Sequence, residues 1–131
     1  MKNTVFLAVN GTLMRGLELE KNLTGVGAAF VREDSTAPEY RLWSIEDRHP
    51  AMLRVSAGES AAVSVALEVW EVPAAGLAAV LAGEPEGLCI GKVRLQSGET
   101  VLGVLGEPEL VKGQKEISRY GGWRDYLMSK Q

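Results

Sequence analysis

The chain has 131 residues, 46% of them apolar and 24% charged, and a formal net charge of −3. That length suits one domain, expected to span 1–131, with enough chain to bury a core. The composition is ordinary for a soluble globular protein: the acidic balance argues against a nucleic-acid surface, which needs clustered Lys and Arg, and no apolar run reaches bilayer-spanning length.

Met1-Lys2-Asn3-Thr4 has neither the apolar core nor the small-residue cleavage site of a secretory signal. Thr4–Val9 then reads as a first strand running straight into the polar turn Asn10-Gly11-Thr12. A glycine there lets a ligand approach the main chain, and successive amides in such a turn form an anion cradle. Leu17–Leu23 is predicted as a short helix with a thin apolar stripe, and Gly27–Arg32 and Tyr40–Ile45 as strands. Glu46-Asp47-Arg48-His49-Pro50 reads as a charged loop, because Pro50 biases His49 away from helix. Met52–Val55 resumes a strand, and Gly58-Glu59-Ser60 reads as a turn before Val63–Val72. In that longest strand Val63, Val65, Leu67 and Val69 share one face at period two.

Pro73 suits the first position of a helix, with Leu77, Val80 and Leu81 on one face and Gly83 as its stop. Leu88–Leu95 and Thr100–Leu105 form a predicted hairpin around Gln96-Ser97-Gly98-Glu99. Gly121-Gly122 breaks the C-terminal segment before a final helical turn or two over Trp123–Met128. Many strands with a few short helices give an α+β domain. No repeat, linker or low-complexity segment divides it.

Five pieces recur in order: Asn10-Gly11-Thr12-Leu13, Ala37-Pro38-Glu39-Tyr40-Arg41-Leu42-Trp43, Leu67-Glu68-Val69-Trp70-Glu71-Val72-Pro73, Leu88-Cys89-Ile90-Gly91-Lys92-Val93 and Tyr120-Gly121-Gly122-Trp123-Arg124-Asp125-Tyr126-Leu127. This series resembles the C-terminal domain of allophanate hydrolases, within the gamma-glutamylcyclotransferase-like superfamily, from about Val5 to Leu127. The resemblance implies a small, mixed, partly closed β-barrel with short flanking helices, and a single pocket at one end bordered by Asn10–Leu13. Asn10 stands where the broader superfamily usually has Tyr. Nothing in the chain resembles the serine–serine–lysine amidase apparatus of the hydrolytic domain, so an amidase is not expected. A free-standing relative of the accessory domain is.

The resemblance also points to the passage Gly83-Glu84-Pro85-Glu86-Gly87. Gamma-glutamylcyclotransferases carry there a glutamate that takes a proton from the substrate's amino group, which attacks its own γ-carbonyl and closes 5-oxoproline. Such chemistry needs a carboxylate in a partly dry pocket. Glu86, followed by Gly87, is the first candidate and Glu84 the second; solvated loop carboxylates are the alternative reading of both. Allophanate hydrolase C-terminal domains generally show an apolar, proline-containing pattern here, and often a first-loop histidine tied to decarboxylation. Thr12 occupies that histidine's position.

Other candidates have bland alternatives. Tyr40 matches a position where the family keeps an aromatic near the pocket, or else is a core aromatic. Arg54, Arg15 and Arg41 are of the type that clamps carboxylates through bidentate geometry, against ordinary surface solvation. His49, the only histidine, reads as an exposed loop residue rather than a general base. With one Cys and one His no metal site is implied, and no cofactor is expected. Cys89, the only cysteine, sits in an apolar strand as a small core residue, and a reducing cytoplasm is the expected compartment.

The sequence therefore predicts a cyclotransferase-like domain for a small amide- or carboxylate-bearing molecule, held by Asn10, Gly11, Thr12 and Leu13, with Tyr40 and Arg54 as further contacts. The rival is a non-catalytic accessory protein working in trans beside a urea- or amide-degrading amidase. A third reading is allophanate-pathway decarboxylation with Thr12 and water in place of the histidine.

Overall fold

The apolar run Val5–Val9 places β1 (Thr4–Val9) at the centre of a mixed five-stranded sheet, in a computed structural model that describes residues 3–56 and 58–131. The sequence reading of Met1 and Lys2 lies outside the described residues. Antiparallel to β1 runs β5 (Ala66–Pro73), itself flanked by β2 (Ala29–Ser35); on the other side β1 is parallel to β7 (Thr100–Gly106), which forms a hairpin with β6 (Leu88–Arg94). Both edges of β1 are therefore paired, and Leu7, Ala8 and Val9 are all buried. Three consecutive buried residues, which point to alternate sides of the strand, put both faces of β1 in the core near its C-terminal end.

The sheet curls without closing. Its edge strands β2 and β6 approach at one end, where Thr36 bridges Leu95 and Gln96 N donates to Ser35 O at 3.0 Å. A second sheet, β4 (His49–Arg54), β3 (Tyr40–Ile45) and β8 (Lys115–Glu116), covers the opening. The partly closed mixed barrel is thus two curled sheets around one core, in which Leu7, Leu23, Tyr40, Leu42, Val65, Val69 and Ile117 are fully buried.

The short helices pack around this frame: α1 (Glu20–Thr24), α2 (Leu77–Ala82), α3 (Pro108–Val111) and α4 (Trp123–Ser129). Pro73 does not open a helix. It pairs with Thr4 as the last residue of β5, a position where its missing N–H is tolerated, and a 3₁₀ turn over Ala74–Gly76 precedes α2. Gly83 follows α2 directly, as its composition predicts. No helix among the described residues is long and apolar enough to cross a membrane.

The C-terminal Gly121-Gly122 pair has a packing reason. Gly121 takes φ +78, and its carbonyl accepts the Ala66 N–H at 2.8 Å. A Cβ on Gly122 would lie 3.1 Å from that of Ala66. The two glycines let the chain cross the start of β5 closely enough for Trp123 and Tyr126 to enter the core, where each is at most 2% exposed.

Candidate functional site

Where β1 stops, the chain turns through Asn10, Gly11, Thr12 and Leu13. Asn10 is buried, and its Nδ2 donates to Val104 O at 3.0 Å, fixing the turn to β7. Gly11 O accepts from Met14 N at 3.0 Å and Thr12 O from Leu19 N at 2.8 Å, so the carbonyls are spent inside the turn. None of the hydrogen bonds among the described residues uses the amide N–H of Gly11, Thr12 or Leu13. The need for glycine is now visible: a Cβ at Gly11 would lie 2.5 Å from Pro50 Cδ. The close approach that Gly11 allows is to β4.

Between this turn, His49, Pro50, Glu84, Leu88 and Val104 lies a slot of about 10 Å³, room for about one water-sized group. Thr12, His49 and Glu84 also line a larger open cleft of about 740 Å³, whose outer wall carries Glu18, Glu46, Asp47, Arg48 and Glu86. Glu46 and Asp47 both adopt positive φ, 53° and 60°, a conformation that non-glycine residues rarely take. Asp47 is pinned there by Lys130, Ser44 and Tyr126, whose hydrogen bonds, that of Lys130 foremost, hold its carboxyl well below the usual carboxylate range. The outer wall is therefore tied to α4.

Glu84 is the carboxylate that reaches the slot. It follows α2, its N–H still donating to Leu81 O at 3.0 Å, and Pro85 prevents another helical turn. Its Oε2 is buried and has no hydrogen-bond partner. Burial disfavours the ionised form and pushes the carboxyl up from 4.5 to about 7. A group titrating near neutrality both takes and returns a proton readily. Glu86 is exposed and lines only the outer cleft. Gly87, which gave Glu86 its priority in the sequence, has φ +91 and serves the turn into β6, where it packs against Leu110.

His49 corrects a sequence expectation. It opens β4 opposite Ile45, is 9% exposed, and lines both the slot and the cleft. Pro50 marked a loop in the sequence, yet β4 is an edge strand, where a residue without an N–H does no harm. His49 Nδ1 sits 3.1 Å from Pro50 O. A carbonyl only accepts, so that bond puts the proton on Nδ1 and leaves Nε2 as the lone-pair nitrogen.

Two expected contacts are not at this site. Tyr40 is a core aromatic, fully buried, its hydroxyl accepting the Arg94 N–H at 3.0 Å; it lines neither slot nor cleft. Arg54 projects from β4 to Glu39 at 2.9 Å, also away from both. Arg41 pairs with Glu116 and Glu59. Each guanidinium is matched by a carboxylate of the chain itself, so none is offered as a ligand clamp. Burial, then the charge of Glu107, raises the Cys89 thiol, which therefore keeps its proton.

The family model described as the allophanate hydrolase C-terminal domain matches residues 5–128. The chain belongs to the allophanate hydrolase C-terminal domain family. Members of this family occur inside far longer chains: a urea amidolyase of Lachancea kluyveri is 33% identical over 132 residues, covering 96% of this chain and 7% of that protein. The chain thus spans under a tenth of that relative's length. Among solved structures, a uropathogenic E. coli-specific protein is 54% identical with a TM-score of 0.92, covering 95% of this chain and 96% of its own. The allophanate hydrolase of Kluyveromyces lactis is 30% identical with a TM-score of 0.91, covering 98% of this chain and 22% of the hydrolase. A gamma-glutamyl cyclotransferase at 15% identity and TM-score 0.53 shares the fold.

In this member of the allophanate hydrolase C-terminal domain family, a buried hub joins the C-terminal motif to the turn after β1. Glu68 of β5 is 1% exposed. It accepts from Arg15 N at 3.0 Å, Arg15 Nε at 3.2 Å, Trp70 Nε1 at 3.1 Å and Arg124 Nη2 at 3.1 Å. Arg124 also donates to Arg15 O at 2.6 Å. Burial works against the ionised carboxyl, but these donors outweigh it and hold Glu68 below its ordinary value. The sequence quoted Glu68 and Arg124 only as family marks; their charge in otherwise apolar surroundings was the signal for a buried pair.

Proposed function

We propose that the protein binds a small amide-bearing molecule in the cleft, with one polar group of its reacting end at the slot, and cyclises a γ-glutamyl amine to 5-oxoproline with Glu84 as proton acceptor. The observation that carries this reading is Glu84 Oε2, buried without a partner in a slot shared with the unused amides of Gly11, Thr12 and Leu13. In this reaction Glu84 takes a proton from the substrate's ammonium. The freed amine attacks the γ-carbonyl carbon, and the carbonyl electron pair moves onto oxygen, towards the turn amides. Collapse breaks the bond to the leaving nitrogen, which receives a proton from Glu84.

The test is 5-oxoproline release from a panel of γ-glutamyl amines. Glu84→Gln keeps shape and a hydrogen-bonding carbonyl but not the basic oxygen, so turnover falls about 10²–10⁴-fold. Glu86→Gln, on the outer wall, stays close to wild type. A silent wild type, or full activity in Glu84→Gln, overturns the assignment.

The second reading is an accessory domain acting beside an amidase. It is favoured by the K. lactis allophanate hydrolase, in which the matching region is 22% of a longer chain. Wild-type silence across the panel, with retention of the protein by a purified amidase, would select it.

A further inference from the structure

We propose that His49 is a second catalytic residue of this site, exchanging the proton that Glu84 does not carry. The inference rests on the cyclotransferase reading above. It starts from proton stoichiometry. The attacking nitrogen begins as an ammonium and ends as a ring N–H, so it loses two protons; the leaving nitrogen begins as an amide N–H and ends as an ammonium, so it gains two. A single carboxylate carries one proton at a time.

The slot supplies a second group. His49 is the sole histidine, nine-tenths buried, and lines slot and cleft together with Glu84 and Thr12. Its Nδ1–H is committed to Pro50 O at 3.1 Å, which fixes the ring and leaves Nε2 as the basic nitrogen. Among the described residues Nε2 has no hydrogen-bond partner. The triad logic of nucleophile, base and orienting group has its counterpart here in attacking amine, imidazole and backbone carbonyl. The charged groups sharing the cleft with His49 are Glu84 and Glu86 from the α2–β6 passage, Glu46, Asp47 and Arg48 from its own loop, and Glu18 ahead of α1. Arg48 pairs with Glu46 at 3.1 Å and Asp47 with Lys130, Glu18 and Glu86 line the cleft but not the slot, and Glu84 is the carboxylate that shares the slot with His49.

The protons then balance. Glu84 takes the first from the ammonium and the neutral amine attacks. His49 Nε2 takes the second from the nitrogen now bonded to the γ-carbon. Glu84 gives its proton to the departing nitrogen as the C–N bond breaks, and His49 gives the other to the released amine. Both groups return to their starting states.

The test is the pH dependence of kcat/KM for 5-oxoproline release by wild type, His49→Asn and His49→Gln. Asn retains the amide donor to Pro50 O but has no group at Nε2, so His49→Asn is expected to fold normally. On the acid side, wild type must deprotonate both groups, and log kcat/KM falls with slope two; His49→Asn falls with slope one and loses about 10²-fold at its optimum. Because the chain has one histidine, its Cε1–H resonance needs no assignment, and 5-oxoproline added to the protein shifts it. Release by wild type with an unchanged acid slope in His49→Asn overturns the role of His49 while leaving the cyclotransferase reading intact. No release by wild type overturns both. An imidazole resonance unmoved by 5-oxoproline in an active wild type also removes His49 from the site.

Discussion

Replacing Glu84 by Gln should change stability in a pH-dependent way, whatever reaction the site performs. In the folded protein its carboxyl titrates at about 7, raised by burial from an ordinary 4.5. Below pH 4.5 the group is protonated whether the chain is folded or not, and it costs nothing. As pH rises through 4.5 the unfolded chain ionises freely while the folded one holds its proton, so stability declines until about pH 7. A shift of that size is worth up to about 3 kcal/mol at 1.36 kcal/mol per unit; the open cleft screens the group, and about 1.5 kcal/mol is a fair lower figure. Gln is neutral throughout. Glu84→Gln should therefore match wild type near pH 4.5 and exceed it at pH 8 by about 1.5–3 kcal/mol, or roughly 5–12 °C in Tm. The assay is denaturant or thermal unfolding of both proteins across pH 4–8. A Tm difference that does not grow with pH, or a variant less stable at pH 8, would refute a desolvated carboxyl at this position.

Two further substitutions probe the C-terminal segment. Trp123→Ala removes an almost fully buried indole, and thermal unfolding should show a loss of about 3–5 kcal/mol; an unchanged Tm would show that the segment is not a clasp. Glu68→Gln leaves Arg15 and Arg124 without their buried carboxylate. It should cost about 1.5–3 kcal/mol at neutral pH and raise hydrogen exchange at Met14 and Arg15, with the loss shrinking in acid because a carboxyl held low stabilises only while ionised. Exchange at those amides equal to wild type would break the link between hub and turn.

Thr4–Val9 and Tyr40–Ile45 were legible as strands, and so were the hairpin, Gly83 as a helix stop and the turn after β1, whereas the period-two run Val63–Val72 becomes a strand only from Ala66 and buries consecutive residues. What a single chain does not display is pairing. The adjacency of Asn10 to Val104, and of Gly11 to Pro50, comes from a parallel β1–β7 pair and a β4 edge that have no local signature. The same gap hid which side chains line the slot. Gly87 was read as a companion to a functional Glu86, whereas its φ of +91 answers to the turn into β6. Pro50 was read as a loop marker, and His49 was taken with it into solvent; on an edge strand the proline is harmless and the histidine points inward. Tyr40 was placed by family position and Arg54 by its clamp-type side chain, and their partners Arg94 and Glu39 hold them elsewhere.

The most family-specific stretch, Gly121-Gly122-Trp123-Arg124, is far in sequence from the turn after β1, yet the two meet at Arg15. That residue directly follows Leu13-Met14, and both its N–H and its C=O are held, the first by Glu68 and the second by Arg124. A turn whose amides must face a slot cannot spend them on its own fold, so its conformation has to be fixed from its ends. At one end Asn10 is fixed to β7, and at the other Arg15 is fixed to β5 and α4. Arg124 reaches Arg15 from a chain that crosses the start of β5 at Gly122, where an added Cβ would lie 3.1 Å from that of Ala66 and crowd it. The glycines, the buried charge and the tryptophan therefore answer one requirement: to hold unpaired amides in place at the end of β1.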